Sequence, residues 1–162
     1  MDFQEKELQL INEAKERAEN LYRDGDYLCS EAVFTVINDY LGQPLPPESV
    51  KIASGFPVGM GTAGCTCGAL SGGIMALGLK FGRTQPKAEM PEMFRVSKEL
   101  HDEFKTKFHS TCCRVLIKNF EFGDSEHIKQ CIYITGQATE MVMKKILQSE
   151  MQVETSPANP VE

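Results

Sequence analysis

The chain has no tryptophan, no cluster of lysine or arginine, no apolar run of bilayer length and no Cys-x-x-Cys pair. Each absence removes a class of function. With 17 basic against 23 acidic residues and a net charge of −6, nothing in the sequence could track a phosphate backbone, so nucleic acid and anionic membranes are not expected partners. The longest strongly apolar stretch, Ala69 to Leu79, falls short of the roughly 20 residues a helix needs to cross hydrocarbon. Charged Asp2, Glu5 and Lys6 open the chain with no apolar signal core, which leads to the expectation of a cytoplasmic protein. Without a Cys-x-x-Cys unit, neither a thioredoxin-like motif nor a zinc-finger pair can be assembled. Convincing period-two alternation is missing as well, so strands are not expected.

What the chain does have is helical periodicity. Residues 2 to 24 carry Phe3, Leu8, Ile11, Ala14, Ala18, Leu21 and Tyr22 at three- and four-residue spacing, closed by Gly25. A second helix is predicted from near Leu28 to Gly42 with Asp26 as its cap, and a short third one opens at Pro46 and Pro47 and ends at Gly55. A fourth runs from about Cys67 to Phe81, and a fifth starts at Pro91 and buries Met93, Phe94, Val96, Leu100, Phe104 and Phe108. Ser110 or Thr111 can cap a short sixth helix. Asp124 or Ser125 can start a last one through Ile128, Cys131, Ile132, Ala138, Val142 and Ile146, with Gly136 interrupting its early part. The fold class expected is therefore all-α, a single bundle of six or seven helices over residues 1–149, with residues 150–162 as a frayed tail.

Nine of the 13 glycines lie between Gly55 and Gly82. They surround Cys65-Thr66-Cys67 and continue as Gly68, Gly72 and Ala76, a smooth face at four-residue spacing against which a helix or a cofactor can lie. Gly59 to Gly64 match G-x-G-x-x-G literally, but the preceding segment reads as helical and no Asp or Glu occurs between Cys65 and Ala88 to take a ribose hydroxyl, so dinucleotide binding is not expected. Gly64, Gly68 and Cys65 are the residues this loop would offer to a cofactor.

Six cysteines exceed what packing needs, although any one of them is more often an inert small hydrophobe than a reactive group. Their shared placement changes that balance. Cys29, Cys67 and Cys113 each fall at an expected helix start, where unpaired N–H groups and the dipole favour thiolate, and Cys131 follows in the last helix. On this reasoning Cys67 should be the most acidic thiol and Cys131 a slow one. Adjacent Cys112 and Cys113 should point different ways. Arg114 is either a thiolate partner or an exposed helix charge. His101 and His127 read as surface residues, and His109 as a helix-end residue.

Four converging thiols could exchange electrons as disulfides, or hold a metal ion or iron–sulfur cluster. At this point the residues resemble a known family of redox-active proteins of anaerobic bacteria and archaea, named for the pattern C_GCAxxG_C_C. Cys29-Ser30-Glu31-Ala32-Val33 carries the first cysteine, Cys67-Gly68-Ala69-Leu70-Ser71-Gly72 the glycine motif, Cys113-Arg114 the third cysteine and Cys131 the fourth, over about residues 26–147. Cys65 and Cys112 are additions to the pattern. The resemblance implies redox activity at Cys29, Cys67, Cys113 and Cys131. Three readings follow: an oxidoreductase that cycles these thiols with no cofactor or relays electrons through them, serving an unidentified redox partner protein; a metal or iron–sulfur protein using the same four ligands; and a helical partner-binding module whose cysteines only pack, with a homo-oligomer open in each case.

Overall fold

The structure, a computed structural model, describes residues 3–155, with side chains from 4 to 150. It contains seven helices and no strand among the described residues: α1 (Phe3–Arg23), α2 (Cys29–Tyr40), α3 (Pro57–Met60), α4 (Gly68–Phe81), α5 (Pro91–Phe108), α6 (Cys113–Leu116) and α7 (Ser125–Thr155), with a 3-10 segment over Pro47–Ile52. The all-α expectation holds. Several ends differ from the sequence reading for local reasons. The N-cap of α2 is Leu28 and not Asp26, because the Glu31 carboxylate accepts the Leu28 N–H at 2.9 Å and ties the helix start to Ser54, whose hydroxyl donates to the same side chain at 2.6 Å. Cys112, not Ser110 or Thr111, immediately precedes α6, while Ser110 Oγ accepts the Cys112 N–H.

The long α7 is the spine of the bundle and packs against α1, α2, α4 and α5. It runs unbroken through Gly136, which lies under the Glu19 side chain where α1 crosses it. Helix α7 continues to Thr155, and Glu150 pairs with Lys80 of α4 at 2.6 Å; residues 156–162, the end of the expected frayed tail, lie outside the described residues. The core between these helices is closed by Val33, Ile37, Leu70, Leu77, Leu100, Phe104, Met143 and Ile146. Two residues assigned to buried stripes are outside it, since Leu8 and Phe94 face solvent.

Helices α2 and α4 approach at backbone distance. A Cβ at Gly72 would stand 2.5 Å from the Ser30 carbonyl oxygen and 2.7 Å from its Cα, so only glycine permits this crossing. Ser30 is fully buried there and donates its hydroxyl to the Ala53 carbonyl at 2.8 Å. This close crossing brings the first turn of α2, with Cys29, against the start of α4, with Cys67.

Candidate functional site

The four cysteines of the motif arrive from separate elements at one cavity of about 390 Å³. Cys29 is the first residue of α2, Cys67 directly precedes α4, Cys113 opens α6, and Cys131 sits in the second turn of α7. The loop before α4 makes this convergence possible. Six of the seven residues 58–64 take positive φ, including Val58, Met60 and Thr62, and the chain then pairs with the segment before α6. An antiparallel bridge joins Thr66 to Cys112, with Cys67 N–H donating to Thr111 O at 2.8 Å and Cys113 N–H to Cys65 O at 2.6 Å. Two cysteines far apart in sequence are thereby fixed side by side on the cavity wall.

The two extra cysteines do not line the cavity. Cys65 is exposed, and the Cys112 thiol donates to the Gly64 carbonyl at 3.1 Å, so Cys112 and Cys113 do point different ways. Gly64 lies under the Arg114 side chain, whose guanidinium donates to Ala63 O at 2.8 Å and clamps the glycine loop. A Cβ at Gly68 would stand 2.5 Å from Cys29 Sγ, so the space there is filled by a thiol of the cluster.

Burial reverses the expected reactivity. The Cys67 thiol does gain from the backbone N–H groups of Ala69 and Leu70, but desolvation outweighs them and pushes it well above the ordinary cysteine range, with Cys29 adding to the rise. Cys67 is therefore not the most acidic thiol. Its residue is 6% exposed, and the cost of a buried charge exceeds what a helix start returns. Desolvation pushes Cys29 up to about 12, with Cys131 contributing further. Cys113 is raised by desolvation and by Cys112. Cys131 is raised by desolvation against a hydrogen bond from Tyr22 that opposes it. The cluster holds protonated thiols.

Two other polar groups on the cavity wall escape the sequence reading. Tyr22, at the end of α1, places its phenol on Cys131, and its own ionisation is pushed far up by desolvation. Nothing in the local pattern marks it. His127 is buried at 6% exposure, which corrects its reading as a surface residue. Asp124 accepts the His127 N–H at 2.6 Å as the cap of α7, and the ring lies against Phe122 at 4.9 Å between centroids. Its signal was present in the sequence, because His127 precedes Cys131 by one helical turn and shares its face. His101 is exposed as expected, and His109 is the exposed C-cap of α5.

Among the described residues no three His, Cys, Asp or Glu side chains stand close enough to share one ion. The thiols surround a space instead of closing around a point, so this arrangement does not fit a single metal ion.

Fold and site together define a class: an all-helical protein whose thiols are gathered, protonated, on the wall of one internal cavity. The chain belongs to the family described as "Putative redox-active protein (C_GCAxxG_C_C)", whose model matches residues 27–145 and so includes all four cavity cysteines. No curated protein and no solved structure matches the chain. No helix among the described residues is long and apolar enough to cross a membrane.

Proposed function

We propose that the protein is a thiol oxidoreductase in which Cys29, Cys67, Cys113 and Cys131 cycle pairwise between thiol and disulfide. The observation that supports this reading is the delivery of four thiols by four elements to one cavity, close enough that the titration of Cys67 responds to Cys29 and Cys113, and that of Cys131 to Cys113. Each oxidation breaks two S–H bonds and makes one S–S bond, releasing two protons and two electrons to an acceptor. Neighbouring thiols are what this chemistry requires, and a cavity is what an acceptor requires.

The experiment is disulfide mapping. The reduced protein is treated with the mild oxidant diamide, blocked, digested and read by mass spectrometry. Bonds are expected among Cys29, Cys67, Cys113 and Cys131, with Cys65 and Cys112 recovered as free thiols. Recovery of six free thiols sinks the proposal.

A further inference from the structure

The cavity itself carries information about the acceptor. Its wall is mostly aliphatic and aromatic, with Pro57, Leu116 and Ile134 beside the thiols, and its mouth is rimmed by Leu28, Phe122 and Ile128, which are 44%, 68% and 39% exposed. Large apolar side chains held in solvent around an apolar opening favour entry of an apolar molecule and disfavour an ion. Among the described residues the lining carries one fixed charge, Arg23, which is half exposed, donates to Asn20 and faces Glu19.

One polar group on this wall is unused. The Gly123 N–H donates to His127 Nδ1 at 2.8 Å, and a backbone N–H can only donate, so Nδ1 is an acceptor and the ring proton resides on Nε2. That Nε2–H has no partner in a residue more than nine-tenths buried on the cavity wall. Nε2 is not among the fully enclosed unpaired atoms, so it opens on the cavity, where a ligand oxygen can accept its hydrogen bond.

Resting on the thiol-cycling reading, we propose that the cavity binds an uncharged, apolar quinone, with His127 Nε2–H donating to a quinone carbonyl, and that this quinone is the two-electron acceptor of the thiol pair. The reaction balances without charge: two S–H bonds break, one S–S bond forms, and the two protons and two electrons convert the quinone's two carbonyls to hydroxyls. An apolar cavity whose thiols are held protonated by burial suits a reaction in which reactants and products are all neutral. An anionic disulfide such as oxidised glutathione would have to shed its hydration at the same apolar mouth, where the cation on the lining, Arg23, already faces Glu19.

Duroquinone is the probe, because its fully methylated ring offers thiols no unsubstituted carbon to arylate. Binding to the intact protein is measured by ligand-observed saturation-transfer NMR under nitrogen, and free thiols and duroquinol are counted in the same samples. Saturable binding is expected, with two thiols lost per duroquinol formed. His127→Asn retains an acceptor for Gly123 N–H but places its own NH2 group short of the position of Nε2, and should weaken binding about tenfold, the loss of one hydrogen bond. Ile128→Trp, which narrows the mouth, should abolish duroquinone binding. Absence of binding, equal binding by both variants, equal binding of an anionic quinone sulfonate, or binding without thiol loss would each overturn the proposal. Because diamide oxidation is scored separately, loss of the quinone proposal is distinguishable from loss of thiol cycling.

Discussion

In the folded, reduced protein at pH 7, Cys29 alkylates about three orders of magnitude more slowly than a free cysteine. Alkylation requires thiolate, and a thiol pushed up to about 12 holds roughly a thousandth or less of the thiolate that one at the unperturbed value of about 8.5 does at the same pH. The rate should rise about tenfold per pH unit from 7 to 10 without a plateau, and should return to the free-cysteine rate in denaturant. Site-resolved mass spectrometry of iodoacetamide-treated samples reads this directly, and a plateau at Cys29 below pH 9 would show that burial does not control it. Stability is coupled to the same shift. Cys29 is neutral in both states below about pH 8.5, so its contribution is fully present there. Above that value the unfolded chain ionises first, and stability falls by on the order of 1.4 kcal/mol per unit as pH rises toward 12. Cys67, Cys113 and Cys131 are shifted in the same direction and add to the loss. The protein should therefore be alkali-labile.

The second large effect is at Gly59. Its φ of +66° lies in the left-handed region, and a Cβ there would stand 2.5 Å from the Cys65 backbone nitrogen and 2.7 Å from Cys113 Cβ. Neither neighbour is a flexible side-chain end, so strain and overlap act together. Gly59→Ala should cost about 3 kcal/mol, equivalent to a fall in Tm of roughly 10 °C for a chain of this size. Gly25→Ala is the control, since Gly25 has φ of +77° but open space around it and should lose only about 1 kcal/mol. Thermal denaturation of the two variants separates the contributions. Equal losses would mean that contact with Cys113 is unimportant.

Much of the fold was legible because helical spacing and caps are local. Val96, Leu100 and Phe104 fit a buried face by period alone, and they are buried; of the two candidate starts of α7, Asp124 and Ser125, it is Asp124 that caps it. The four cysteines were legible through the glycine motif and their order. Less legible was anything set by tertiary environment. Cys67 has the backbone donors that its position near a helix start implied, yet its protonation is decided by how deeply α4 is buried, which spacing does not report. Tyr22 reaches Cys131 only because α1 and α7 pack together, and Leu8 and Phe94 fit their helical stripes but find no neighbour to cover them.

The bridge between Thr66 and Cys112 makes the backbone positions of Cys67 and Cys113 a single mechanical variable. Their amides are locked to Thr111 and Cys65 across the same pair of segments, so neither thiol can be displaced without straining the other's anchor. Local opening of this unit would release both thiols together, whereas Cys29 and Cys131, on α2 and α7, are anchored in the main bundle. The cluster thus divides into two thiols carried within bundle helices and two whose backbone positions are coupled through one bridge.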